Sequence, residues 1–378
     1  MNFATLAQLL IPEGPVSKIE SGGRLLWAAR AWPQFYQTTR INSSRPFAAA
    51  TTVGNYALIG GGCAVDFSSY STTVESFDKS LTRASRTSLN KARAFLAATT
   101  VGDYALFAGG RGLDAWSDST VFNTVDAYNA SLTHSAKALV TARESLAAVT
   151  IGNHALFAGG SHYNPDTETT TYYSTVDAFD ASLTRTTASS LSAKRSDLGA
   201  TAVGDYALFA GGYGETHTDI SGRSHSYSTV DAYNKSLTRS TAPALSTNKA
   251  DLAAAALSTY AVFGGGDKNG YALDTVDAYD ASLTRTLPTG LAYTANYPSA
   301  VSVGDYAFFA GGHSTSYSAT RSTVNAYNKY LTRRTLTPLS EARYGMAATA
   351  LGPHALFCTG KDVNDGGSYA VDVYVVTE

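Results

Sequence analysis

The chain has 378 residues, with 28 Lys and Arg against 30 Asp and Glu and a formal net charge of −2. That balance excludes a nucleic-acid binder driven by bulk positive charge, and 44 % apolar residues against 15 % charged exclude a disordered chain. Two cysteines, Cys63 and Cys358, exclude a disulfide framework and a thiolate metal cluster, and no run approaches the roughly 18 apolar residues of a membrane span.

The first 31 residues differ in pattern from the rest of the chain. The stretch from Met1 to Ile11 lacks the positively charged start of a secretory signal, so export by the general secretory route is not expected. Residues 3–10 read as a helical turn or two. Ser21-Gly22-Gly23 reads as a tight turn between short strands at 16–20 and 24–27. A solvated leader has no need of Leu6, Leu9, Leu10 and Trp27, so a docking segment that buries them on a partner is expected. The Pro12-Glu13-Gly14 turn, the Lys18-Ile19 pair and the closing Leu26-Trp27 resemble the short leaders of tail and baseplate proteins in phages and prophages of Firmicutes. That resemblance implies a tail or baseplate partner for residues 1–31 and a virion location.

From residue 45 onward the chain repeats, which overrides any domain count based on length. Val53-Gly-Asn-Tyr-Ala-Leu-Ile-Gly-Gly-Gly62 returns as Val101-Gly-Asp-Tyr-Ala-Leu-Phe-Ala-Gly-Gly110. Further copies end at Gly160, Gly212, Gly266, Gly312 and Gly360, a period of about 50 residues. A second segment follows each copy, as in Thr73-Val-Glu-Ser-Phe77 and Thr124-Val-Asp-Ala-Tyr128. A third follows in all but the last, as in Ser80-Leu-Thr-Arg83. Each repeat reads as four strands: A (Leu96-Ala-Ala-Thr-Thr-Val101), B (Tyr104-Ala-Leu-Phe-Ala-Gly109), C (Thr124 to Tyr128) and D around Leu132-Thr133. Gly102-Asp103 between A and B suits a two-residue II′ turn. Such a unit in seven copies is the pattern of an all-β, seven-bladed β-propeller, with small alanines crowding the axis on strand A. The seventh repeat stops after strand C, and Trp32-Pro-Gln-Phe-Tyr-Gln-Thr-Thr39 belongs to no repeat. That segment is expected to supply the missing outer strand and close the ring.

The Gly-Gly pair after strand B, the strand C pattern and a basic residue leading strand A resemble kelch repeats across residues 32–378. The strand D tryptophan usual in kelch blades is absent, and Leu81, Leu132, Leu183, Leu237, Leu283 and Leu331 take its place in the alignment of copies.

The B–C loops vary most, and Tyr, Ser, Asn, Asp, His and Gly dominate them, as in adaptable binding loops. Variable polar loops are also ordinary in any fold. The aromatic content favours a recognition crown of Phe67, Tyr70, Trp116, Tyr163, Tyr213, Tyr227, Tyr271 and Tyr317, with Tyr172 and Tyr173 nearby. A second candidate is a ring of basic residues heading strand A: Arg45, Arg93, Arg143, Arg195, Lys249 and Arg343, interrupted by Ala295. One reading is an anion-binding funnel at the channel mouth. The other is a set of bonds to loop carbonyls or to the strand C carboxylates Asp126, Asp177, Asp231, Asp277 and Asp372.

Catalytic signals are weak. Neither cysteine sits in a setting for a copper-radical crosslink. The loop carboxylates Asp66, Asp114, Asp118, Asp166, Glu215, Asp219 and Asp267 offer no outstanding pair for glycoside hydrolysis. His162, His217, His225 and His313 carry no metal-ligand spacing. No cofactor and no metal are expected. The sequence reads as a non-enzymatic recognition or structural protein of a phage or prophage tail-like particle. It would dock through residues 1–31 and bind a host surface glycan or protein through the B–C crown, with neither nucleic acid nor membrane insertion. Homo-oligomerisation on the particle is compatible with this. The alternatives are a bacterial intracellular kelch-like interaction scaffold and a carbohydrate-active enzyme using loop carboxylates.

Overall fold

A computed structural model describes residues 18–21, 24–28, 32–114, 118–215, 225–314, 319–362, 364 and 366–377. Seven four-stranded antiparallel sheets form its body, and no helix occurs among the described residues. In each, strands A to D lie one beyond another from the axis outward. Blades 1 to 6 run over 49–86, 97–138, 147–187, 199–242, 253–286 and 299–335. Blade 7 combines 347–375 with 34–40. Consecutive A strands are neighbours, and the last, Ala347–Leu351, lies beside the first, Ala49–Val53. The chain is therefore a closed seven-bladed β-propeller.

Strand A alternates buried and half-buried residues, as in Ala147–Ile151, because one face packs in its blade and the other meets the axial channel. Strand B is buried almost throughout: Leu106 and Phe107 are inaccessible to solvent. Neighbouring blades interlock through these side chains. A Cβ built on Gly60 of blade 1 would lie 3.0 Å from the Phe107 ring of blade 2, so glycine makes room for the aromatic.

The Gly-Gly pair after strand B has a different cause. Gly62 has φ +100°, and a Cβ there would collide with the Arg45 carbonyl oxygen. Its N–H donates to the carbonyl of Arg93, in the loop that opens the next blade, at 2.8 Å. Only glycine combines that backbone angle with that approach.

The six repeated leucines are not strand D residues. Leu81, Leu132, Leu183, Leu237, Leu283 and Leu331 sit in the C–D turn with φ between +61° and +63°. The Asp or Asn before each holds the turn: Asp78 Oδ1 accepts the N–H groups of Ser80 and Thr82 at 2.9 and 3.0 Å. Strand D starts only afterwards, at Arg83–Arg86 in blade 1 and His134–Ala138 in blade 2. The turn drops its leucine between blades. Leu183 of blade 3 packs with Val101 and Leu106 of blade 2 as well as Phe157 and Phe179 of its own.

Ring closure matches the expectation. Gln34–Arg40 pairs antiparallel with Ala370–Val375, with Thr38 opposite Asp372, and Trp32 stacks obliquely on Tyr306 at 5.5 Å. Lys18–Ser21 and Arg24–Ala28 form a separate hairpin, in which Trp27 stands opposite Ile19. Leu6, Leu9 and Leu10 lie outside the described residues, as do Trp116 and Tyr317.

Candidate binding site at the axial mouth

The basic residues heading strand A do not form a solvent-facing ring. Arg45 is 1 % exposed, and Arg93, Arg143, Arg195, Lys249 and Arg343 are wholly buried. Each pairs with a buried strand C carboxylate of its own blade. The distances are 2.6 Å for Arg45–Glu75, 2.8 Å for Arg93–Asp126, Arg143–Asp177 and Arg343–Asp372, 2.5 Å for Arg195–Asp231 and 3.0 Å for Lys249–Asp277. An anion from solvent has no access to these charges, so the funnel expectation is corrected: the six cations tie each entering loop to its blade. A further strand D group often completes the clamp, as when Arg185 reaches Asp177 at 2.9 Å. In blade 7 the closing strand supplies it instead, Thr38 Oγ1 donating to Asp372 at 2.6 Å. Blade 6 loses both partners together. Ala295 replaces the cation, and Asn325 replaces the carboxylate while still accepting the Ala292 N–H at 3.0 Å.

Two residues beyond each of these seven positions, Ala295 included, lies the residue that lines the mouth of the channel. In blade order these are Phe47, Phe95, Ser145, Asp197, Asp251, Tyr297 and Gly345, all with φ between +48° and +63°. Their backbones link head to tail. The N–H of Phe95 donates to Phe47, Ser145 to Phe95, Asp197 to Ser145, Asp251 to Asp197, Tyr297 to Asp251 and Phe47 to Gly345, at 2.8–3.1 Å. Blade-to-blade bonding fixes this rim, whereas its side chains change from sector to sector.

One arc is aromatic. Phe47 stacks on Phe95 with centroids 4.6 Å apart and meets Tyr297 and Tyr344 edge-on at 6.2 Å. Gly345 permits that reach, since a Cβ there would lie 2.9 Å from the Phe47 ring. Phe67, from the blade 1 B–C loop, extends the stack at 5.8 Å. Two cations cover its outside: Arg111 lies over Phe95 at 4.7 Å and Lys361 over Phe67 at 5.1 Å.

The opposite arc is acidic. Burial pushes the Asp197 carboxyl up from its ordinary value, and Ser196 Oγ, donating at 2.6 Å, only partly offsets this. Asp251 is pushed well up, first by burial and then by the Asp197 charge. Its Oδ1 is buried without a hydrogen-bond partner. Beside them Tyr213 donates to Asp267 at 2.6 Å. Glu144, adjoining Ser145, is pushed up to about 7 by burial despite Arg111 Nε at 3.4 Å. Asp197, Asp251 and Glu144 keep protons at pH values where exposed carboxyls have lost them.

The aromatic crown expected on the B–C loops is dispersed. The loops extend outward as small hairpins, such as Ser161–Asn164 with Thr169–Tyr172. Phe67 and Tyr213 reach the mouth, whereas Tyr163 and Tyr271 stand exposed on hairpins, Tyr271 at 67 %. Tyr70, Tyr173 and Tyr227 are half-buried, and Tyr172 is buried. Among the described residues, no group of three or more His, Cys, Asp or Glu is placed to hold a metal ion. Both thiols are buried and pushed up to about 12, chiefly by burial.

The mouth residues escape a search of the sequence for shared chemistry because they have none in common. Their signal is the reverse: one freely varying position inside a constant frame, as in Arg93-Ala-Phe-Leu96, Arg195-Ser-Asp-Leu198 and Lys249-Ala-Asp-Leu252.

Fold and mouth together define a β-propeller with a side-chain-lined cavity on its axis. No family model matches the chain, and no curated protein matches it. Among solved structures, YjhT superposes with a TM-score of 0.61 at 10 % sequence identity, over 79 % of this chain and 99 % of that one. The likeness is one of fold alone.

Proposed function

We propose that the chain is a non-enzymatic, kelch-like recognition protein of a phage or prophage tail-like particle. Residues 1–31 dock it on a tail or baseplate protein, and the hairpin face binds a host surface glycan or protein. The observation that carries the recognition reading is the mouth: seven equivalent positions on one rigid rim hold Phe, Phe, Ser, Asp, Asp, Tyr and Gly. Apolar sugar faces stack on aromatic rings and hydroxyls bond carboxyls, so a glycan matches both arcs. Many copies on one particle multiply a weak single-site affinity. The particle reading rests on the leader motif around Pro12-Glu13-Gly14 and Leu26-Trp27.

Immunogold labelling of particles from producing cells tests the location. Label at a tail tip or baseplate is expected. Label confined to the cytosol overturns the particle reading in favour of an interaction scaffold. A glycan array with the full chain tests recognition, and a Phe47→Ala variant is expected to lose the signal. A second reading, a carbohydrate-active enzyme, is favoured by one observation: the neighbouring proton-holding acids Asp197 and Asp251. Release of reducing ends from a bound glycan, abolished in Asp251→Asn, would establish it.

A further inference from the structure

The mouth is an open depression of about 230 Å³. That is smaller than the roughly 300–1,000 Å³ of sites for drug-sized molecules, so it suits a single small ring. One wall includes the rings of Phe47 and Tyr297, which meet edge-on. The other holds Asp197 and Asp251, adjacent around the rim through the Asp251 N–H to Asp197 carbonyl bond of 3.1 Å. Asp251 Oδ1 has no partner. Of the nearby cations, Arg111 pairs with Glu144 at 3.4 Å and only partly offsets the burial of Asp197, and Lys361 Nζ donates to the Val65 carbonyl at 3.1 Å.

From this juxtaposition, and resting on the glycan reading above, we infer that the mouth takes an amino sugar with a free amine. Its apolar ring face lies on Phe47 and Tyr297, and its ammonium sits at Asp197 and Asp251. Two neighbouring half-buried acids resist joint ionisation without a counter-charge. A neutral sugar leaves that demand unmet. An ammonium answers it, gains charge-assisted hydrogen bonds and meets the aromatic wall favourably. Binding then drives protons off the pair. Burial holds those protons in the free protein, reinforced at Asp251 by the Asp197 charge, in surroundings shared with Tyr213, Tyr297, Asp267, Glu144 and Arg111.

The test is isothermal titration of the full chain with a glucosamine trimer and with its N-acetylated counterpart, in buffers of different ionisation enthalpy. The expected result is about tenfold tighter binding of the free amine, accompanied by proton release. Asp251→Asn should abolish both the preference and the proton release, and an undiminished melting temperature would show that this near-isosteric variant is folded. Phe47→Ala should weaken both ligands. Equal or tighter binding of the N-acetylated trimer, or an unchanged preference in Asp251→Asn, overturns the inference and leaves glycan recognition standing. No binding to either trimer or to any glycan on an array overturns both.

Discussion

Glu75, wholly buried in its blade, and Asp251, half-buried at the mouth, are both acids, yet they are treated oppositely. Burial works against the Glu75 charge, but Arg45, Arg83 and the Asn42 N–H surround it at 2.6, 2.6 and 3.0 Å and hold its carboxyl below the ordinary value. Asp251 has burial and a neighbouring acid, with no cation among its bonded partners, and is pushed well up. The first environment, a carboxylate paired with the cation of its entering loop, recurs in six of the seven blades, and blade 6 ties its loop through Asn325 instead. The second occurs where the repeat is free to vary. A carboxylate neutralised on the spot serves the frame, and an acid left without a cation is available to a ligand.

The largest effect is expected from breaking a clamp. Lys249→Ala strands Asp277 and should cost about 3–5 kcal/mol, read as a fall in the denaturant midpoint. Adding Asp277→Asn recreates the Ala295 and Asn325 pair of blade 6 and should recover most of that loss. Failure to recover would mean the cation acts through more than its partner. Next comes the loop frame. Gly110 has φ +105° with a Cβ position 2.7 Å from the Ala94 carbonyl oxygen, so Gly110→Ala should cost about 2 kcal/mol or more. Gly270, at φ +87° with nothing within 4 Å of its Cβ position, should cost only about 1 kcal/mol as alanine.

The mouth acids give a smaller, pH-dependent effect. A carboxyl whose folded value is raised binds its proton more tightly in the native state. It therefore stabilises below the unfolded value and loses that contribution as pH rises through the folded one. For Glu144 the window runs from its ordinary value of 4.5 to about 7. Melting should weaken with rising pH there, by up to about 1.4 kcal/mol per unit of pH for each such acid. Glu144→Gln should flatten the slope, and Asp251→Asn should do so at the rim itself. The smallest effect belongs to the hairpin surface. Tyr271→Ala should change stability by less than about 0.5 kcal/mol, and any loss of ligand binding in it would extend recognition beyond the mouth.

The blade count, strand order and closure by the segment 32–39, whose strand is observed at Gln34–Arg40, are legible because each rests on a repeated pattern or on its interruption. Depth is not. Arg93 recurs in register, and the sequence offers both a solvent-facing ring and a bond to Asp126; only the fold, which buries both groups 2.8 Å apart, decides for the second. Leu132 reads as a strand residue because apolar side chains in short runs carry no backbone angle. Its left-handed φ comes from Asn129 gathering the Ser131 and Thr133 N–H groups at 3.0 and 2.8 Å. The mouth is hidden for the opposite reason. A search for sameness passes over the position where Phe95, Asp197 and Gly345 are equivalent.

The rim's backbone bonds have one further effect. Each peptide unit carries a dipole of about 3.5 D. Along a helix such dipoles add, but on this rim each bonded N–H points to the carbonyl of a neighbouring blade, so the dipoles run tangentially around the axis. Their vectors largely cancel, leaving little backbone field along the channel to attract either sign of charge. Selectivity at the opening is thereby delegated to side chains, and exchanging one rim residue can retune it without disturbing the scaffold beneath.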